Sequence, residues 1–314
     1  MRSSTLASTI VTALVLAACG GGGGDPGTTG DDDGTTDVDA GGPPAEGFRI
    51  ETPPIRIEAG QEITYCYYTT LPTTRTMGIK KWSSTMTPGS HHLILFFDNH
   101  TEADGTIKPN CGFGASPSGL PFWTYSAQTP EQSASMPPGV GMTVNAGQKA
   151  FVQMHYLNAT DQAIMAHVTI DAEAYGENDV YTPAAAYVTY NTQINVAAHS
   201  TGSVTGDCAV PAGAKFFAMS THSHHFSTHT EVKDGGSMIF ESTNWEHPGA
   251  ATWNTAPYFT FASGKVTYHC DYNNDSDSVV KTGDSAQTDE MCMAVGYFFP
   301  ATAAKFCLNS FALP

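Results

Sequence analysis

Apolar residues in this chain recur at every second position in short runs. Phe48 and Ile50 flank Arg49, Ile63, Tyr65 and Tyr67 alternate with Glu62, Thr64 and Cys66, and the run from Phe151 to Tyr156 carries Gln153 and His155 on one side. A period of two, rich in β-branched and aromatic residues, belongs to strands with one face turned inward. Further runs lie at 166–172, 186–196, 215–221, 259–273 and 294–299. Between them fall turn clusters such as Thr87-Pro88-Gly89-Ser90, Pro137-Pro138-Gly139, Pro211-Ala212-Gly213 and Asp234-Gly235-Gly236. No apolar stripe of helical period continues over three turns, and no repeat of solenoid or propeller length is present. The pattern predicts an all-β fold of antiparallel sandwiches. The length from residue 47 onward fits two packed units, 47–187 and 188–314, better than one.

The first 46 residues do not share this pattern. Met1-Arg2 leads into an apolar run through Ile10, Leu14, Val15 and Leu16, too short to span a bilayer, so residues 1–19 read as a signal peptide. Its end, Leu16-Ala17-Ala18-Cys19, resembles a bacterial lipobox, which makes Cys19 the lipidated residue; an ordinary secretory cleavage site beside an incidental cysteine is the plainer alternative. Residues 20–46 are Gly, Asp, Thr and Pro with almost nothing to bury, the composition of a tether. The expectation is an exported protein, lipid-anchored in the bacterial cell envelope at the outer membrane or the periplasmic face and in contact with membrane through its anchor alone. Gly20 weighs towards the outer membrane.

Charge and cysteine content agree with that reading. Thirty acids against thirteen bases give a net charge of -17, which disfavours nucleic acid as a partner. Beyond Cys19 there are six cysteines, Cys66, Cys111, Cys208, Cys270, Cys292 and Cys307. An even number in an exported chain points to three disulfides, with fifteen connectivities open. None forms a C-x-x-C pair, which argues against a redox dithiol or a zinc ribbon.

Twelve histidines remain to be placed, and their clustering is informative. In His222-Ser223-His224, the strand period puts both imidazoles on one face, a chelating arrangement, with His225 and His229 as bystanders. A solvated histidine-rich loop is the alternative. Adjacent strand residues His91 and His92 point apart, so both reach one metal only at a strand end or irregularity, which Pro88-Gly89-Ser90 can supply, and one ring can coordinate through Nδ1 and the other through Nε2. His155 alone on a strand is more often a hydrogen-bonded core residue than a ligand, and Met291 alone is more often a core filler.

In combination these segments are specific. His91-His92-Leu93-Ile94-Leu95-Phe96, Gln153-Met154-His155-Tyr156, His222-Ser223-His224-His225 and Asp289-Glu290-Met291-Cys292 occur in this order over 200 residues. In these motifs the chain resembles the copper type II, ascorbate-dependent monooxygenases, the family of peptidylglycine α-hydroxylating monooxygenase and dopamine β-monooxygenase. The resemblance covers roughly residues 50–314. It implies two tandem jelly-roll-like β-sandwich domains facing each other across a solvent-filled cleft, each carrying one of two copper ions per chain. His91, His92 and His155 would hold an electron-transfer copper. His222, His224 and Met291 would hold the copper that activates O2, and would be the catalytic residues. Gln153 would support the first copper through hydrogen bonding. An ascorbate-like reductant would donate electrons, and a small-molecule or peptide-like substrate would be hydroxylated. The same resemblance implies the pairs Cys66–Cys111, Cys208–Cys307 and Cys270–Cys292.

The departures concern substrate. Ser220 stands where the peptide-hydroxylating enzyme has an arginine for the peptide carboxylate, and Met293 and Val295 stand where it has an asparagine and a tyrosine. A glycine-extended peptide is therefore not expected, and an uncharged, less polar substrate is. A copper-capturing lipoprotein without turnover, using the same ligands, is the competing function. A β-sandwich interaction module with closed structural metal sites is a third.

Overall fold

The alternating runs form strands whose burial follows their period. Val168, Ile170, Ala172 and Ala174 are buried in the strand Val168–Ala174, while the residues between them are half-exposed. The structure, a computed structural model, describes residues 42–109, 111 and 121–313. The signal peptide, Cys19 and most of the tether lie outside the described residues. Among these the chain is all-β, with no helix.

One long sheet organises the molecule. Its strands run in the order Gly47–Glu51, Val168–Ala174, Met77–Met86, Val140–Val144, Thr182–Tyr190, Met293–Phe299, Lys215–His222 and Ala251–Thr252. A five-stranded sheet, ordered Ile107–Pro109, Glu62–Thr70, Lys149–Leu157, Ser90–Phe97 and Phe122–Ala127, covers the first part of it. Leu93, Leu95, Val152 and Met154 of this sheet meet Ile79, Trp82, Val144 and Ile170 of the long one in the larger core. A four-stranded sheet, ordered Ser200–Ala209, Lys265–Asn274, Ser227–Asp234 and Ser237–Ser242, covers the second part. Its Val232, Val266 and Tyr268 pack with Phe216, Met219 and Phe298 in a second core.

A third apolar cluster joins the two parts, and it positions the site. Ile94, Phe96 and Phe151 lie on the opposite face of the five-stranded sheet from Leu93, Leu95 and Val152, and they pack against Ala186, Val188, Met293 and Val295. The strand Ser90–Phe97 is thus buried on both faces, as its unbroken apolar run from Leu93 to Phe97 requires. Thr182–Tyr190 pairs in parallel with Val140–Val144 and antiparallel with Met293–Phe299, so the expected division at 187/188 falls inside one strand.

Some runs end earlier or begin later than their hydrophobicity predicts. The run from 186 stops at Tyr190, and the run from 259 becomes a strand only at Lys265, after a turn in which Asp234 accepts the N–H groups of Ala262 and Ser263. The turns fall where glycine permits them: Gly89 has φ +98° and Gly235 φ +58°, backbone that a side chain would strain. Three disulfides, Cys66–Cys111, Cys208–Cys307 and Cys270–Cys292, link chain segments with Cα–Cα distances of 5.9–6.0 Å.

Candidate metal centre

The face of the five-stranded sheet that carries Ile94, Phe96 and Phe151 also carries His92, Gln153 and His155. His92 and His155 are register partners on Ser90–Phe97 and Lys149–Leu157, and the next pair is Ser90 with Tyr156, which leaves His91 bulged out of the ladder. That bulge is the irregularity that brings both histidines to one side. The open atoms differ accordingly, Nε2 on His91 and Nδ1 on His92. The third element is Lys215–His222, where Ala218, Ser220 and His222 pair with Tyr297, Val295 and Met293 of the neighbouring strand.

His224 reaches the site differently from the expected strand alternation. The strand ends at His222, and His224 sits in the following turn. The wholly buried Glu290 carboxylate holds that turn, accepting the backbone N–H of His224 at 2.9 Å and of Phe226 at 2.7 Å, and that of Met291 at 3.1 Å. Burial pushes the Glu290 carboxyl up to about 7 against the pull of these donors. His224 Nδ1 donates to the Asp289 carbonyl at 3.2 Å, so Nε2 carries the free lone pair.

The histidines of both expected triads meet in one cluster. Ring centroids are 5.0 Å apart for His91 and His92, 5.1 Å for His92 and His155, 5.3 Å for His222 and His224, and 5.2 Å for His92 and His222. His91 lies 5.5 Å from His222 and 5.7 Å from His224. The resemblance implies two sites facing each other across a cleft; here the third apolar cluster closes the two parts together and the imidazoles are in ring contact. Coordinating atoms of His91, His92 and His222, one from each, fall within 4.8 Å of one another.

The five rings are buried, and four of their nitrogens have no partner: His91 Nε2, His92 Nδ1, His222 Nε2 and His224 Nε2. Orphaned buried acceptors are costly unless something binds them. Burial first, and then the neighbouring rings, push the pKa values of these four histidines well below the ordinary imidazole range, so they present neutral lone pairs at neutral pH. Imidazoles suit copper, zinc, iron and nickel, and a thioether narrows the choice towards Cu(I). Half-buried Met291 supplies one, lining the same cavity as His92, His155 and His222. The donor set therefore fits copper.

His155 is held by a residue that sequence analysis did not single out. Its Nε2–H donates to Glu62 Oε1 at 2.9 Å, leaving Nδ1 as its other coordinating atom. Glu62 also accepts from Ser285 Oγ at 2.8 Å and Ala286 N–H at 2.6 Å. Partial burial works to raise the Glu62 carboxyl, but the hydrogen bonds from His155, Ser285 and Ala286 outweigh it and bring the group down to about 2. This is the carboxylate–histidine arrangement that orients metal-ligating imidazoles. Glu62 and His155 are 93 residues apart, and nothing local distinguishes this acid from the other twenty-nine. Trp245 is a second such residue, its ring 5.4 Å from that of His91.

Gln153 lines the cavity, and its amide donates to the Cys111 carbonyl at 2.8 Å, bracing the segment held by the Cys66–Cys111 bridge. His225 is exposed against Phe226 and Trp245, and His229 pairs with Glu241 and Asp271, both away from the cluster. Compared with known proteins, the chain matches no family model and no curated sequence.

Proposed function

We propose that the protein is a copper-dependent monooxygenase of the cell envelope, hydroxylating a C–H bond of a small molecule with O2 and an ascorbate-like reductant. The carrying observation is the set of buried, partnerless ring nitrogens converging beside a cavity of about 640 Å³ that Met291, His92, His155 and His222 help to line. A metal-storage site has no use for such a cavity; a C–H substrate needs one. Hydroxylation consumes one O2, two electrons and two protons, and yields R–OH and water. When bound, copper would supply the one-electron transfers and the reduction of O2.

The chain's own residues supply position and exclusion of water. His91, His92 and His155 would hold the electron-transfer copper, with Glu62 fixing the His155 ring. His222, His224 and Met291 would hold the other, with Glu290 fixing the turn that carries His224. Apolar walls beside the cluster keep a substrate C–H close and bulk water out. The N-terminal lipobox reading would place this activity at a membrane surface outside the cytoplasm.

A second reading, copper capture without turnover, has one observation in its favour. The three nitrogen-bearing side chains that come within 4.8 Å, His91, His92 and His222, draw on both triads, as a single tight site would. Copper stoichiometry separates the two. After loading with Cu(II) and dialysis, the monooxygenase reading expects two coppers per chain, falling to about one in His155→Ala. One copper in the wild type would favour capture and refute the two-copper enzyme, and none would refute both.

A further inference from the structure

The cavity beside the histidines constrains what can occupy it. About 640 Å³ is the size that holds a drug-sized ligand. Ile94, Trp123 and Met136 come from the first part of the molecule, and Phe217, Met293 and Val295 from the second. Met219 and Met291 bring the lining methionines to four, flexible and polarisable side chains that adapt to flat apolar ligands.

Several polar groups in these walls are taken by the protein itself, and Ser133, Ser135, Thr252 and Asn254 are solvent-exposed. Ser220 Oγ donates to the Gly249 carbonyl at 2.5 Å, the Thr221 and Thr230 hydroxyls share a hydrogen bond of 2.7 Å, and the Gln153 amide is spent on Cys111. Among the described residues no lysine or arginine lines the cavity, and its one acid, Asp284, is solvent-exposed. In the metal-free protein an anion would be desolvated against methionine, valine and phenylalanine with no lysine or arginine to meet it and with His247 solvent-exposed, in a chain of net charge -17. A cation would find only a hydrated carboxylate, a weak partner. Outside the histidines, Tyr297 Oη and Trp123 Nε1 lie together with Ser126 in the wall, and Gln128 Oε1 is buried without a hydrogen-bond partner, open to a donor on the ligand.

We propose that this cavity binds an uncharged, predominantly apolar small molecule carrying one hydroxyl or N–H donor, which Gln128 accepts. The inference rests on the monooxygenase reading only in making that molecule the substrate; the binding preference stands on the cavity itself.

The test uses the full disulfide-bonded chain, metal-free and copper-loaded, titrated calorimetrically with three probes that share a ring and differ in charge: 2-(2-naphthyl)ethanol, 2-naphthylacetate and 2-(2-naphthyl)ethylamine. The alcohol is expected to bind at least about 10-fold more tightly than either charged probe. Gln128→Leu is expected to weaken the alcohol by about 5-fold or more while leaving 2-ethylnaphthalene unchanged. Equal or tighter binding of the acetate or the amine, or no binding of the alcohol up to its solubility limit, overturns the proposal. An alcohol affinity that Gln128→Leu leaves untouched overturns the assigned acceptor. Copper content of the same samples keeps the two readings apart. Preference for the alcohol without copper retention refutes the monooxygenase and leaves this inference standing, whereas two coppers with a preference for a charged probe refutes this inference alone.

Discussion

Glu62 shows how much of this site depends on a residue without coordinating atoms in the cluster. Its carboxylate accepts the hydrogen bond from His155 Nε2–H and is itself held by Ser285 and Ala286, so the imidazole has one orientation available. Glu62→Gln should keep the fold but loosen that ring, lowering copper affinity by about 10- to 100-fold in competition with a chelator. Unchanged affinity would show that His155 is not a ligand. The buried histidines also set the acid limit of the metal-free protein. Their native pKa values are depressed, so as pH falls below 6.5 the unfolded chain takes up protons that the native state refuses, and stability is lost on the acid side. Each of the four steepens the loss by up to about 1.4 kcal/mol per pH unit. Glu290, raised to about 7, acts in the opposite direction between pH 4.5 and 7, but it is one group against four. The urea midpoint of chelator-treated protein should therefore fall between pH 7.5 and pH 5.5. A flat or rising midpoint would mean that the histidines titrate freely in the native state.

The elements show which features are local and which are not. His222-Ser223-His224 reads as one strand, yet the ladder stops at His222 and a carboxylate 66 residues away shapes the turn that presents His224. Period-two patterning assigns a face, but it cannot see that a distant acid offers the backbone a better partner than the next strand. Conversely, the irregularity at His91-His92 is legible, because two adjacent histidines converge only where the ladder slips, and Pro88-Gly89 precedes them. Glu290→Ala should leave the N–H groups of His224 and Phe226 buried and unpaired. We expect a loss of about 3 kcal/mol or more, read as a lower denaturant midpoint, together with loss of the copper that depends on His224. Glu290→Gln, which keeps an acceptor, should lose less on both counts.

At the scale of the molecule, the two parts are bound to each other by a shared sheet and the cluster around Ile94, Phe96, Ala186 and Val295. Cys208–Cys307 closes the largest loop, spanning 99 residues and tying the strand Lys305–Leu308 to Ser200–Ala209. Chain-entropy reasoning gives such a bridge about 4 to 5 kcal/mol, so Cys208→Ala with Cys307→Ala should lower the thermal midpoint clearly while the two-copper stoichiometry, if present in the wild type, persists. Loss of copper at temperatures where the variant remains folded would mean that this bridge positions the site as well.

The amino-acid sequence by itself determined the secondary structure class, because strand periodicity and turn chemistry act over a few residues. It also determined the identity of the histidines and cysteines available for chemistry. Which faces would meet was decided only by tertiary structure. His92, His155 and His222 come from strands of two different sheets, and their rings touch because apolar residues beside them, Ile94, Phe151, Met293 and Val295, bury one another. Glu62 and Glu290 acquire their roles in the same way. A carboxylate is drawn to whatever unpaired donors the packed core leaves within reach, and apart from the Met291 N–H beside Glu290 those donors lie 64 to 224 residues away along the chain.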